Sequence, residues 1–236
     1  NRTRVIVSTT SSLLSNPEIF ELKKFDTLII DEASQILEPQ IAGIIAQAEK
    51  FIMIGDEKQL PAVVTQKDSF DPESYPQLKD IELNDLSGSL FERLLNICQK
   101  NNWDGAYGML SKQARMIENI QELANHMFYA GRLSIFEMMK IDSNKNSPAN
   151  NSIFGKNVIF IECAPEETIK THYGEATIAA KIASEFMKNN ENDDLSIGII
   201  SPFRAQCSLI RSMLDTYHNE KITVDTVERY QGSERD

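Results

Sequence analysis

The sequence predicts an α/β protein of two parallel-sheet domains, and three observations carry that expectation. Aliphatic runs such as Leu28-Ile29-Ile30 and Phe51-Ile52-Met53-Ile54 are continuous rather than alternating, as strands covered on both faces require. Stretches of helical period lie between them. The runs at Ile30 and Ile54 end in Asp31-Glu32 and Gly55-Asp56, placing polar groups where parallel strands deliver their carboxyl ends to a ligand crevice.

Taken in order, Arg4–Ser8 reads as a short buried strand, Thr27–Ile30 as a second and Phe51–Ile54 as a third. Pro39 suits the first turn of a helix continuing through Ile41, Ile44 and Ile45, which completes a strand-helix-strand unit. Residues Thr65–Asp85, rich in Asp and Pro, read as a solvated loop. Ser89-Leu90-Phe91-Glu92 has capping-box spacing and opens a helix that presents Leu90, Leu94, Leu95 and Cys98.

The domain boundary is expected near Asn101–Gly105, giving domains 1–104 and 105–236. The second repeats the alternation: a strand near Tyr107–Leu110, a helix over Ile117–Phe128 and a strand at Val158–Glu162. A helix at Glu175–Lys188 with Ile178, Ile182 and Phe186 on one face comes next. The series closes with a strand at Ser196–Ser201, a helix at Ala205–Leu214 and a strand near Ile222–Val224. Asp142–Ser152, rich in Asn and Ser, reads as a loop.

Composition narrows the function. The 236 residues, 41% of them hydrophobic, suit ordinary globular cores, and no apolar run approaches the roughly 20 residues of a spanning helix. No signal-peptide pattern precedes Val5, so no membrane partner is expected. Cys98, Cys163 and Cys207 form no CxxC pair, which points to reduced thiols inside the cell. His126, His172 and His218 lack metal-ligand spacing. The net charge of -11 is opposite in sign to that of a chain that holds nucleic acid by overall attraction, so any such contact rests on a local groove or on other sequence.

The carboxylates suit nucleotide chemistry. An Asp at a strand tip holds a phosphate-bound magnesium through its water shell, and a neighbouring Glu orients or deprotonates the attacking water. Gln59, beyond the next strand, is placed to contact a terminal phosphate or that water; the plainer reading is a loop-capping amide. By itself Arg115 reads as a surface ion-pair residue; Phe203 and Arg204 supply a ring and a cation suited to stacking and phosphate contact, the plainer reading being packing and a helix start.

The ordered set Val5-Ile6-Val7-Ser8-Thr9, Asp31-Glu32-Ala33-Ser34, Gly55-Asp56-Glu57-Lys58-Gln59-Leu60-Pro61, Gln113-Ala114-Arg115-Met116, Ser201-Pro202-Phe203-Arg204-Ala205-Gln206 and Val224-Asp225-Thr226 through Gln231-Gly232-Ser233-Glu234 resembles superfamily 1 helicases. Within them it looks like the branch of the nonsense-mediated-decay helicase and its DNA-acting relatives. The resemblance runs over nearly the whole chain and implies two RecA-like domains. Both ends look cut, so the first domain, and by the same reading the second, is expected to be truncated.

The resemblance implies ATP and Mg2+ as cofactors, with Asp31 on the magnesium side, Glu32 as catalytic base, Gln59 as phosphate sensor and Arg115 as arginine finger. Gln113 and Glu234 would face the nucleotide. Ser8, Thr9, Pro202, Phe203 and Arg204 would contact single-stranded DNA or RNA, with 5′ to 3′ movement by a monomeric motor. The chain departs from the family at Ala114, where an aromatic ring usually stacks on the base, and at Ile117-Glu118, where His-Pro is usual. No G-x-x-x-x-G-K-[ST] loop occurs, and the final arginine motif is missing too, so the chain by itself is expected to be inactive. The alternative expectation is a degenerate helicase domain kept as a binding scaffold.

Overall fold

The structure is a computed structural model that describes residues 4–64, 75–83, 86–136, 157–189, 195–214 and 221–231. The chain divides into two compact units, Asn1–Leu110 and Ser111–Asp236.

The first unit carries α1 (Thr10–Ser15), α2 (Ile19–Leu22), β1 (Phe25–Ile30), a 3-10 turn (Ala33–Gln35), α3 (Glu38–Ile45), β2 (Ala48–Met53), α4 (Pro76–Asp80) and α5 (Leu90–Lys100). β1 and β2 pair in parallel from Phe25 opposite Ala48 to Ile30 opposite Met53, with α3 in the connection. Pro39 stands in the first turn of α3, where its missing N–H leaves no bond unmade. The core joins Ile30, Ala33, Ile41 and Leu90, with Leu28, Ile36, Met53 and Leu94 packed against it. Ser89 caps α5, its hydroxyl accepting the Glu92 N–H at 3.2 Å.

A buried ion pair fixes α5 on α3. Arg93 Nε donates to Glu38 Oε2 at 2.7 Å, Nη2 donates to Glu38 Oε1, and Nη1 donates to the Ile81 carbonyl at 2.6 Å. This planar fork satisfies both carboxylate oxygens of Glu38.

In the second unit β3 (Lys112–Gln113), α6 (Glu118–Phe128) and β4 (Ser134–Ile135) form a small parallel strand-helix-strand piece. It is followed by α7 (Tyr173–Asn189), β5 (Ile197–Ser201), α8 (Arg204–Met213), β6 (Ile222–Thr226) and α9 (Val227–Tyr230). β5 and β6 are parallel, from Ile197 opposite Ile222 to Ser201 opposite Thr226. Their core is built by Ala176, Ala180, Ala183 and Met187 of α7 with Cys207, Ile210, Leu214, Ile222 and Val224.

The start of α7 is capped from outside the helix. The Glu166 carboxylate accepts the N–H groups of Tyr173 and Gly174, both at 2.8 Å. Buried Gln206 of α8 grips His172 on both sides, accepting its N–H at 2.8 Å and donating to its carbonyl at 3.0 Å.

The architecture is α/β with parallel strands in small sheets, consistent with a RecA-like fold. Three expected strands differ. Arg4–Ser8, Tyr107–Leu110 and Val158–Glu162 belong to no ladder among the described residues, and Val7 and Phe160 are 92% and 91% exposed. A parallel strand draws its hydrogen bonds from its neighbours alone, so an apolar run with no neighbour stays outside the sheet. On α7 the face toward the core is the alanine stripe rather than Ile178, Ile182 and Phe186, which are only half-buried. Small residues let a helix approach its partner closely, and α7 packs against α8 along them. Residues 65–74 and 84–85 of the Thr65–Asp85 stretch, and all of Asp142–Ser152, lie outside the described residues. Within the first stretch α4 forms, with Pro76 in its first turn.

Candidate functional site

β1 and β2 release their chains at the same end of the sheet. The parallel register continues past them, with Ile54 N donating to Ile30 O and Ala33 N to Ile54 O, each at 2.8 Å. Asp31 and Glu32 follow β1 directly and are exposed. The Glu32 N–H donates to Asp31 Oδ1 at 3.0 Å.

Glu32 has φ 51 and ψ 38, the left-handed region, which costs a residue with a Cβ about 1–3 kcal/mol and persists only where its surroundings hold it. The 3-10 turn does the holding. Gln35 N donates to Glu32 O at 2.9 Å, and Gln35 Nε2 donates to Glu32 Oε2 at 2.8 Å. The kink turns the chain immediately after Asp31, so both acids stay at the sheet end rather than running on into α3.

The loop after β2 closes on the loop after β1. Buried Ser34 accepts the Asp56 N–H on Oγ at 3.2 Å, and Gly55 supplies the clearance: a Cβ there would lie 2.9 Å from Ser34 N. Asp56 then orders its own turn, accepting Lys58 N on Oδ1 and Gln59 Nε2 on Oδ2, both at 3.0 Å. Asp31, Glu32 and Gln59 therefore stand on two cross-linked loops at one sheet end. Their side chains are all oxygen and amide donors, and Asp31 keeps one carboxylate oxygen unengaged among the described residues. No group of three or more His, Cys, Asp or Glu among the described residues could hold a metal. That donor set fits a magnesium ion carried mainly by phosphates and water.

In the second unit Gln113 ends β3 and Arg115 stands exposed on the next loop. Every hydrogen-bonding position of the Gln113 amide is used within the piece. Oε1 accepts Arg115 N at 2.8 Å and Met116 N at 2.7 Å, while Nε2 donates to Met116 O at 2.7 Å and Gln121 Oε1 at 2.8 Å.

Among the nucleic-acid candidates, Ser8 and Thr9 are exposed before α1. Ser8 Oγ donates to Thr9 O at 3.2 Å, and Thr9 caps α1 by accepting Ser12 N at 3.2 Å. Pro202, Phe203 and Arg204 follow β5; the Phe203 N–H donates to buried Ser201 Oγ at 3.4 Å, and Arg204 opens α8. Beside them the Glu228 carboxyl is held below the usual carboxylate range, first by its own backbone N–H, then by the Thr226 hydroxyl, with the Arg204 charge contributing and desolvation opposing. Glu234 lies outside the described residues. Ser34, Gln35 and Gln121 have no sequence signal for the parts they play, because each is an ordinary polar residue whose partner appears only on folding.

Two sequence-family profiles, both described as AAA domain, match the chain, one over residues 1–67 and the other over residues 86–236. The chain is 29% identical to the DNA replication ATP-dependent helicase/nuclease JHS1 of Arabidopsis thaliana, with 100% of this chain and 17% of that protein covered. It is 30% identical to the DNA polymerase alpha-associated DNA helicase A of Saccharomyces cerevisiae, covering 95% of this chain and 34% of the relative. An uncharacterized ATP-dependent helicase of Methanocaldococcus jannaschii is also 30% identical, over 98% of this chain and 33% of its own length. The chain thus spans between about a sixth and a third of these relatives. With the longer profile covering more than half of its residues, the chain belongs to the AAA domain family of superfamily 1 helicases.

Proposed function

We propose that this chain is part of an ATP-dependent helicase that moves 5′ to 3′ along a single strand, coupling hydrolysis to the motion of two RecA-like domains, residues 1–104 and 105–236. The observation that carries the reading is the cross-linked pair of strand tips, with Asp31-Glu32 on one and Asp56-Gln59 on the other. Asp31 would hold magnesium through water, Glu32 takes the proton of the attacking water and Gln59 senses the terminal phosphate. Arg115 supplies a permanently charged donor fork to that phosphate in the nucleotide-bound state. Magnesium, when bound, neutralises charge on the phosphates.

Ser8, Thr9, Pro202, Phe203 and Arg204 contact the strand, with the Phe203 ring open to stacking. Glu234 and Gln113 belong to the nucleotide side, Gln113 through the loop it orders. The names of the Arabidopsis and yeast relatives favour DNA over RNA. We place the motor inside the cell, acting as a monomer. The chain by itself, without a phosphate-binding glycine loop, does not hydrolyse ATP.

The test is steady-state ATPase and strand displacement by the full-length protein, on DNA and RNA with tails of either polarity. Strand-stimulated ATPase that is lost in Glu32→Gln and a preference for the 5′ tail are the expected results; undiminished ATPase in Glu32→Gln overturns the reading. Ala114 favours a second reading, a scaffold that binds without turnover, because it offers no ring to a nucleotide base. Full-length protein that binds the strand but never hydrolyses ATP selects that reading.

A further inference from the structure

Arg115 lies in the 114–117 loop, between the end of β3 and the start of α6, so side chains rather than a helix or sheet ladder set where its backbone points. The Gln113 amide does this locally, bonding the N–H of Arg115 and both the N–H and the carbonyl of Met116. Its remaining donor goes to Gln121 on α6. Gln121 is buried at 5% exposure, so little water is at hand to replace its oxygen.

Gln121 is in turn oriented by the far end of the piece. Its Nε2 donates to Leu133 O at 3.3 Å, which leaves Oε1 facing Gln113. Asn125, one helical turn on, fixes that same residue, accepting Leu133 N at 2.9 Å and donating to Leu133 O at 3.0 Å. Leu133 leads into β4, where the Ser134 N–H bonds Ser111 O at 2.7 Å and the N–H of Phe136, just beyond the strand, bonds Gln113 O at 2.9 Å. The Gln113 side chain is thus held through Gln121 by the same segment that pairs with the Gln113 backbone.

We propose that Gln121 is a positioning residue for Arg115, acting through the Gln113 amide. The proposal rests on the reading of Arg115 as the arginine that meets the terminal phosphate. A displacement of about 1 Å in such a group is enough to cost on the order of a hundredfold in rate. Gln121 itself is buried in the strand-helix-strand piece and acts only through its side-chain hydrogen bonds.

The experiment is a double-mutant cycle in the full-length protein, read by strand-stimulated ATPase. Gln121→Met, similar in length but without the accepting oxygen, is expected to lower kcat by about tenfold while KM for ATP moves by less than about twofold. In an Arg115→Ala background the same change is expected to cost nothing further, because its only route to the chemistry has gone. Full activity in Arg115→Ala overturns the reading of Arg115 and the proposal with it. A large loss in Arg115→Ala, with a further independent loss on adding Gln121→Met, overturns the positioning role alone. Gln121→Leu, which also lacks the accepting oxygen, carries the same cycle if Gln121→Met does not fold: a kcat loss that vanishes in the Arg115→Ala background supports the proposal, and a loss that persists there overturns it.

Discussion

Ser34 and Asp56 are joined across the sheet end, a buried hydroxyl accepting a backbone N–H at 3.2 Å from the neighbouring loop. This bond holds the loop of Gln59 against the loop of the acidic pair. Its length depends on Gly55, because backbone rather than a yielding side chain faces the position a Cβ would take.

Gly55→Ala is therefore expected to force the two loops apart. Stability of the chain should fall by about 1–3 kcal/mol by urea melting, and ATPase of the full-length protein should fall by at least about tenfold. Wild-type turnover in this variant would mean that the closeness of the loops is irrelevant to the chemistry.

Glu32 offers a test in which stability and activity move oppositely. Replacing it by Gly removes the strain of a left-handed residue that carries a Cβ, so the chain is expected to gain about 1 kcal/mol. The same change should abolish ATPase in the full-length protein. Thermal melting beside a turnover assay checks both, and a destabilised Glu32→Gly would show that the Gln35 contact outweighs the strain.

The Arg93–Glu38 pair should behave as a buried ion pair with every oxygen engaged. Arg93→Leu leaves the Glu38 carboxylate buried and alone. The expected cost is about 3–5 kcal/mol by denaturant unfolding. A cost below about 1 kcal/mol would indicate that water reaches Glu38.

The cap on α7 should carry a pH signature. The backbone N–H of Gly174, then that of Tyr173, hold the Glu166 carboxyl below its ordinary 4.5, the His172 charge adding a little and desolvation opposing. A carboxyl depressed on folding stabilises fully above the unfolded value and loses that contribution as pH falls through the folded one. Wild type should therefore melt above Glu166→Gln at neutral pH, and the gap should close below pH 4.5. A gap that widens on acidification would reverse the sign and rule out this cap.

Much of the element order could be read from the chain because local chemistry decides it. Ser89 and Glu92 mark the start of α5, and Pro39 marks the first turn of α3. Isoleucine runs mark β1 and β5. Strand pairing was less accessible: Val158–Glu162 is as aliphatic as β5, but pairing depends on a neighbour that periodicity does not reveal. Which face of α7 packs was not legible either: the shared face of Ile178, Ile182 and Phe186 stood out by bulk, while close approach selects the alanines. At the site, the acids and Gln59 stood out by their place after apolar runs. The groups that hold them, Ser34 and Gln35, and the Gln121 that holds the Arg115 loop, are amides and hydroxyls whose meaning lies in a partner's position.

Gln206 binds both polar groups of one peptide residue, His172, so the opening turns of α7 and α8 form a yoke. Phe203 stands just ahead of one of the two yoked helices, and the other is a rod of 17 residues lying along the core. Anything pressed against that ring would meet the stiffness of the packed layer rather than the give of a loop. Under the proposed reading of Phe203 as a strand contact, a push at that ring would move the helix pair together instead of being lost as local slack.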